Sequence, residues 1–205
     1  HIDRITKLLV EGPAIQYGDL FQYDQVRLIH DDKTLNAFCT PGGFIYVYTG
    51  LIKYLDQEDH LAGVMGHEIA HAELRHSSLR LQKEYGAKRL VKFILLTSPM
   101  SLKDAGALVI LKDLTGLKYS RDQEAESDDL SVLYLADAAY ACDGAAGFFE
   151  KLLANRDDVG IPEVLSDHPD SQSRVTDIHA RANQLQCNMT PADQSQWREF
   201  QASLP

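Results

Sequence analysis

The spacing of hydrophobic residues predicts a small sheet in the first quarter of the chain and helices through most of the remainder. Apolar runs bounded by turn residues are typical of strands, and we predict strands at 25–30, 36–38 and 44–48. After residue 58 the apolar residues recur at helical spacing. We also predict a helix at the amino terminus. The predicted helices are therefore 2–11, 59–86, parts of 87–113, 122–139, 144–155 and 171–186. The pattern therefore indicates an α+β fold that is mainly helical.

The helix predicted from residue 59 carries the most informative motif of the chain, His67-Glu68-Ile69-Ala70-His71. At about 3.6 residues per turn, His67 and His71 share one face, so both rings can reach a single Zn²⁺. Glu68 would lie close enough to take a proton from a water molecule at that metal, as in metalloproteases. The alternative is an ordinary amphipathic helix in which both histidines are merely polar residues.

The ends of this helix are less sharply marked than its centre. Asp56 or Asp59 is a candidate cap for its start. Arg75 and His76 would suit the negative pole of the helix if it ends there, whereas the pattern also allows the helix to continue through Leu79.

A catalytic zinc usually has three protein ligands and one open position, so a third ligand is needed. Glu124 and Asp128 lie one turn apart ahead of an apolar run, and they share a helix face. We expect Glu124 to bind the metal and Asp128 to accept a hydrogen bond from a metal-bound histidine, which we take to be His67. The alternative is a solvated acidic helix start, the commoner meaning of such a cluster, but the histidine motif upstream favours the metal.

A third segment, 166–175, carries His168 beside a proline and Arg174 at the start of a helical pattern. Taken alone, this histidine more often has a structural or loop-capping role than a functional one.

Together these segments resemble a known family. The sequences at 67–71, 120–128 and 168–175, with Asn36-Ala37-Phe38 and the 41–47 segment, resemble metallopeptidase family forty-eight. These are the gluzincins of the HtpX-like and CAAX-prenyl-protease type, especially their soluble BepA-like members of the bacterial envelope. The blocks occur in the family's order and span about residues 25–185, which makes them together far more specific than the histidine motif alone.

The resemblance implies a zincin-like catalytic domain with a small sheet beside the motif helix. It implies one Zn²⁺ per chain held by His67, His71 and Glu124, with Glu68 as general base, Asp128 behind the ligands, and His168 and Arg174 lining the site. In zinc peptidases of this type an edge strand beside the metal binds an extended substrate. Here that strand is either 36–38, with Asn36, Ala37 and Phe38, or 44–48, unless these strands are fully paired within the sheet.

The function implied is a zinc endopeptidase that cleaves unfolded or misassembled polypeptides in the bacterial periplasm or cell envelope. Two alternatives remain: a hydrolase of non-peptide amides or esters, and a zinc-stabilised chaperone or binding module. Glu68 argues against the binding module because a purely structural metal has no use for a base.

Two expectations concern access to the metal. The resemblance places His168, or Arg174 through its guanidinium, to donate to the oxyanion of the transition state. Alternatively, His168 could occupy the open zinc position as a removable fourth ligand, the role we favour. The apolar segments 93–96 and 107–111 suit a cover over the cleft.

Composition adds limits to this interpretation. The 205 residues, 44% hydrophobic and 24% charged, are ordinary for one globular domain covering 1–205. The net charge of −10 argues against nucleic acid or an anionic membrane surface as the main partner. No membrane span is present in the sequence, although a signal or anchor removed ahead of His1 would leave membrane proximity open. Cys142 and Cys187 could pair if the last helices meet, and Cys39 suits a small core residue.

Overall fold

Helices dominate the fold, as the hydrophobic spacing predicts. A computed structural model of the chain describes residues 1–24, 26–86, 118–155, 168 and 171–205. The helices are α1 (Ile2–Val10), α2 (Thr49–Tyr54), α3 (Glu58–Glu73), α4 (His76–Tyr85), α5 (Arg121–Asp137), α6 (Gly144–Ala154), α7 (Ser171–Leu185) and α8 (Ser195–Ser203). The strands are β1 (Val26–Ile29), β2 (Ala37–Cys39) and β3 (Ile45–Tyr48). The helical segments and the cover predicted between 87 and 113 lie outside the described residues.

The strands form a mixed sheet in the order β1-β3-β2, with β1 parallel and β2 antiparallel to β3. Because β3 is paired on both sides, the suggestion that 44–48 is a substrate-binding edge is wrong. The edge nearer the motif helix is β2, which packs against α3. The amide of Tyr48 donates to the carbonyl of Asn36 at 3.1 Å and that of Thr40 donates to Phe44 at 2.9 Å. Antiparallel alternation then turns the backbone groups of Ala37 and Cys39 away from β3.

Helix α3 is the centre of the molecule, and it packs against α5, α6, the sheet and α1. Nearly all of its residues are buried, which explains why its hydrophobic pattern is not confined to one face. Glycines allow the closest approach: a Cβ on Gly63 would overlap the backbone of Gly144 and Ala145 at the start of α6.

The start of α3 corrects the predicted cap. Gln57 is the N-cap residue, and no side chain caps the helix there. Asp59 is instead fully buried, and it accepts hydrogen bonds from the amide of Ala141 at 2.8 Å and from Gln194 Nε2 at 3.1 Å. Asp56 forms an ion pair with Lys151 at 2.6 Å. Both carboxylates therefore tie α3 to later parts of the chain rather than cap it.

The single helix predicted over 59–86 is also wrong. Helix α3 ends at Glu73, and Arg75 adopts the left-handed conformation with φ 59° and ψ 22° before α4 begins at His76. A non-glycine residue in this region costs about 1–3 kcal/mol and persists only where its surroundings favour it. This break separates the two helices, and α4 remains in contact with the motif helix.

Helices α2 and α8 were not predicted. Trp197 of α8 is nevertheless fully buried, and its indole N–H donates to the carbonyl of Leu55 at 3.4 Å. Cys142 and Cys187, whose pairing the sequence leaves open, form a disulfide. Cys39 is a buried free thiol, as predicted for a small core residue. Among the described residues, no helix combines the length and the apolar character needed to cross a bilayer.

Candidate metal centre

The side chains of three separate segments converge at one buried point. His67 and His71 come from α3, Glu124 from the first turn of α5, and His168 from the segment before α7. One potential ligand atom from each of these four residues lies within 4.8 Å of all the others. The Nε2 atoms of His67 and His71 are 2.9 Å apart. The i, i+4 spacing thus brings both rings to one point, and tertiary packing supplies the carboxylate and the third imidazole.

The capped start of α5 determines the position of Glu124. Ser120 caps α5 by accepting from the amide of Gln123 at 3.2 Å, and Gln123 Oε1 accepts from the amide of Ser120 at 3.1 Å. This capping box satisfies amides in the first turn and sets where the helix begins. Because α5 lies against α3, the Glu124 carboxylate reaches His67 at 3.5 Å and His71 at 3.4 Å.

Asp128 holds the opposite side of His67. Its Oδ1 lies 2.8 Å from His67 Nδ1, leaving Nε2 directed at the cluster. Arg174 donates to both oxygens of Asp128, at 2.7 Å from Nε and 2.6 Å from Nη2. The guanidinium also pairs with Glu124 Oε2 at 2.6 Å and lies over the Phe149 ring. Arg174 thus links the two carboxylates and neutralises part of their charge.

His71 has different neighbours from His67. Its Nδ1 lies 2.9 Å from Nδ1 of His76, the first residue of α4. Its ring stacks on Tyr119, with centroids 3.8 Å apart. Tyr119 in turn shares a hydrogen bond with Ser77 at 2.8 Å and lies beneath the guanidinium of Arg80. His71 is therefore enclosed by an aromatic ring and an imidazole.

Glu68 lies beside the cluster. Its Oε2 accepts a hydrogen bond at 3.2 Å from the amide of Cys39, one of the β2 groups that face away from β3. Its Oε1 lies 3.5 Å from His168 Nε2. Glu68 is only 2% exposed, so its carboxylate is held between the sheet edge and the cluster. That position matches a base better than a ligand.

His168 enters the cluster through Nδ1. That atom lies 3.0 Å from Glu124 Oε1 and 3.2 Å from His67 Nε2. The residue is 4% exposed. The structure therefore brings together every residue predicted for the centre: His67, Glu68, His71, Glu124, Asp128, His168 and Arg174.

Electrostatics at this point favour a cation. Burial raises the pKa of Glu124, but His168, His67 and His71 outweigh it and hold that pKa well below its usual range. Burial also raises the pKa of Asp128, but Arg174 and His67 outweigh it, so the net direction is down. Both carboxylates are thus ionised at neutral pH. Burial and Arg174 lower the pKa of His67, but Asp128 and Glu124 outweigh them and raise it to about 9, so a metal ion bound here would displace a proton from this ring.

The donor set fits a metal ion. Two imidazoles and a carboxylate, with a third imidazole at the remaining position, are the nitrogen and oxygen ligands that zinc binds in catalytic sites. Burial, followed by the charge of His67, lowers the pKa of His71 well below its usual value, so this ring is in the neutral form that ligation requires. The residues at this centre could therefore hold a metal.

The predicted substrate-binding residues lie at the sheet edge that contacts Glu68. Ala37 and Phe38 belong to β2, and Asn36 directly precedes it. Within the described part of the chain, the buried amide nitrogen Nδ2 of Asn36 has no hydrogen-bond partner. The outward amide of Cys39 is already bound to Glu68, and Ser77 Oγ donates to its carbonyl at 3.4 Å. The edge left for an added strand therefore centres on Ala37.

Sequence reasoning missed His76 and Tyr119 as neighbours of the centre. His76 follows His71 by five positions. In a continuous helix this would place it about 140° around the axis, away from the metal. Tyr119 precedes α5 without any periodic or motif signal. Only the helix break at Arg75 and the packing of α5 make these residues neighbours of His71.

Comparisons with known proteins agree with this geometry. The chain is 31% identical over 167 residues to the beta-barrel assembly-enhancing protease of Escherichia coli K12, covering 77% of this chain and 34% of that protein. It is 32% identical over 161 residues to the mitochondrial metalloendopeptidase OMA1 of Arabidopsis thaliana, covering 78% and 32% respectively. It is 30% identical over 155 residues to the metalloprotease YcaL of Escherichia coli K12, covering 75% and 60%. The chain thus spans about a third of the length of the first two proteins.

The family itself is shown by the match of its sequence model. That match covers residues 9–182, which include every residue of the centre and the sheet edge beside it. On this basis, and with metalloproteases as its relatives, the chain belongs to Peptidase family M48.

Proposed function

We propose that this chain is a zinc-dependent endopeptidase that hydrolyses peptide bonds of unfolded or misassembled proteins. The observation that carries the proposal is the convergence of His67, His71 and Glu124, with Glu68 buried beside them. Family membership and relatives named as proteases support the reaction class. A relative named as a beta-barrel assembly-enhancing protease supports a role in protein quality control.

The donor set supports zinc over other metals. Two imidazole nitrogens and one carboxylate oxygen suit a borderline-soft ion, whereas magnesium and calcium prefer sites built from oxygen. His67, His71 and Glu124 would hold the ion as the three protein ligands. Asp128 would fix His67 through Nδ1, and Arg174 would hold Asp128 in place.

Each side chain then has a chemical task. When bound, zinc supplies a Lewis acid that acidifies water and polarises a carbonyl group. Glu68 receives the proton of the attacking water and passes it to the leaving amine. The hydrogen bond from the Cys39 amide orients the Glu68 carboxylate in the free enzyme. The proton is thus moved within a buried site where bulk water does not compete.

The extended substrate would pair with the outward groups of β2 around Asn36, Ala37 and Phe38. Main-chain pairing tolerates many side chains, which suits an enzyme acting on unfolded polypeptides. We place this activity in one catalytic domain of the bacterial cell envelope or periplasm. The disulfide between Cys142 and Cys187 supports an oxidising compartment.

The test separates the base from the ligands. Glu68→Gln should retain stoichiometric zinc and lose most cleavage of unfolded casein, since the amide keeps the shape but cannot accept the proton. His67→Ala, His71→Ala and Glu124→Ala should lose zinc as well. Zinc content by atomic absorption and cleavage by gel assay provide the two measurements. Loss of zinc from Glu68→Gln would overturn the assignment of Glu68.

The same measurements of zinc content and cleavage distinguish the endopeptidase from the two alternative functions. Retained zinc with no cleavage of any unfolded protein would indicate a binding module. Turnover of small amides or esters without protein cleavage would indicate a non-peptide hydrolase. Anomalous scattering at the zinc edge from a crystal would identify both the metal and its ligands.

A further inference from the structure

The outer nitrogen of His71 contacts an imidazole rather than a carboxylate. Nδ1 of His71 and Nδ1 of His76 are 2.9 Å apart, and His76 is 4% exposed. The other ring nitrogen of His76, Nε2, lies 3.2 Å from Glu126 Oε2. His71, His76 and Glu126 therefore form a chain of polar contacts that runs from the buried centre to an exposed carboxylate.

Elementary protonation rules fix the direction of this chain. A neutral histidine that uses Nε2 as a ligand carries its proton on Nδ1. Nδ1 of His71 must then donate, so Nδ1 of His76 must accept. Neutral His76 consequently carries its proton on Nε2, where Glu126 is placed to accept it. Each contact sets the tautomer of the next ring.

The backbone is arranged so that this contact can form. His76 begins α4 immediately after Arg75, whose left-handed φ of 59° breaks the path of α3. If α3 continued, His76 would lie about 140° around the axis from His71. The hydroxyl oxygen of Ser127 also lies near Nδ1 of His76, at 3.4 Å. The shorter contact is the one with His71.

We propose that His76 is a positioning residue of the metal centre, accepting a hydrogen bond from His71 Nδ1 while Glu126 holds its tautomer. The inference rests on the proposed function, since it requires His71 to be a ligand. Groups that accept from a ligating histidine orient the ring and raise its basicity, and their loss typically weakens metal binding. His76 thus does for His71 what Asp128 does for His67.

Two substitutions of nearly equal shape test the proposal. Asn at position 76 can place an amide oxygen near the position of Nδ1, whereas Leu offers no acceptor. We expect His76→Leu to weaken zinc binding by about 10–100-fold and His76→Asn to stay within about threefold of the unaltered protein. The measurement is zinc affinity by competition with a chromophoric chelator. Equal affinity of the Leu and Asn variants would overturn the proposal.

Controls separate positioning from packing. Ser127→Ala removes the neighbouring hydroxyl and should leave zinc affinity unchanged; a loss as large as that of His76→Leu would mean that packing is responsible. Urea unfolding of the metal-free variants should give similar midpoints for Leu and Asn. If the unaltered protein binds no zinc, the proposed function fails. If it binds zinc but the Leu and Asn variants have equal affinity, only the role of His76 fails.

A measurement on the unaltered protein avoids any folding defect. Long-range ¹H–¹⁵N spectra of the zinc-loaded protein report which nitrogen of each histidine carries the proton. We expect His71 protonated on Nδ1 and His76 protonated on Nε2. A proton found on Nδ1 of His76 would overturn the proposal, because that atom could not then accept from His71.

Discussion

At the scale of single residues, His168 has the most consequential position in the centre. Its Nδ1 lies among the potential ligand atoms, while its Nε2 lies 3.5 Å from Glu68. A ring held there could occupy the fourth position at zinc and keep substrate out. The same ring, turned slightly, could donate to a developing oxyanion. The position of Nδ1 supports the first role.

Replacing His168 separates these two roles. If it is a removable fourth ligand, His168→Ala should raise cleavage of unfolded casein, or at least self-cleavage, because the open position becomes accessible. The assay is initial rate at matched zinc content. His179→Ala is the control, since His179 pairs with Asp143 and Glu150 on the surface instead of entering the centre.

The opposite outcome is equally specific. If His168 stabilises the transition state, His168→Ala should lower turnover by about 10²–10³-fold with zinc retained. That result would reject the fourth-ligand role.

At the scale of elements, the crossing of α3 and α6 depends on glycine. A Cβ at Gly63 would meet main-chain atoms of Gly144 and Ala145, and main chain cannot rotate away. At Gly66, one turn on, the nearest atoms belong to the side chains of Leu135, at 3.0 Å, and Ser131, at 3.1 Å. The two glycines therefore differ in what a methyl group would displace.

We expect Gly63→Ala to lower the free energy of unfolding by about 1–3 kcal/mol, because separating two packed helices outweighs the gain in helix propensity. Gly66→Ala should change it by less than about 1 kcal/mol, since side chains can adjust and alanine favours the helix. Urea unfolding of the metal-free proteins measures both. Equal destabilisation by the two changes would contradict the close helix contact.

At the scale of the whole molecule, the last part of the chain is tied to the core by covalent and polar links. The disulfide joins Cys142, before α6, to Cys187, after α7, across 45 residues. The amide of Cys142 also donates to the carbonyl of Asn188 at 2.9 Å. Since α7 carries Arg174, these links help to hold the residue that supports Asp128 and Glu124.

Removing the disulfide should therefore destabilise the fold. The double change Cys142→Ser with Cys187→Ser is expected to lower the free energy of unfolding by about 2–4 kcal/mol, chiefly because the unfolded chain regains entropy. Urea unfolding at fixed zinc concentration measures it, and reductant added to the unaltered protein should give a similar loss. A double variant as stable as the unaltered protein would show that the link contributes little. Cys39→Ser serves as the control for thiol loss.

The sequence by itself determined the features that depend on the periodicity of a helix or a strand over a few residues. Four-residue spacing places His67 and His71 on one helix face, and Glu124 and Asp128 on another, whatever the tertiary contacts. Turn residues and apolar runs located the strands, and every main helix outside 59–86 that lies in the described residues, to within one or two residues. Together with the ordered motifs, these local patterns were sufficient to indicate the family.

Tertiary structure decided which of these local surfaces meet. Four features depend on residues distant in sequence or on the left-handed conformation of Arg75. They are the edge position of β2, the breaking of 59–86, the buried anchoring role of Asp59 and the contact of His76 with His71. Periodicity carries no information about such contacts, because they are selected by how whole elements pack and which polar groups packing leaves to be satisfied. The sequence therefore determined the ligand-bearing faces, and the packing of α3, α4 and α5 determined the centre that they form.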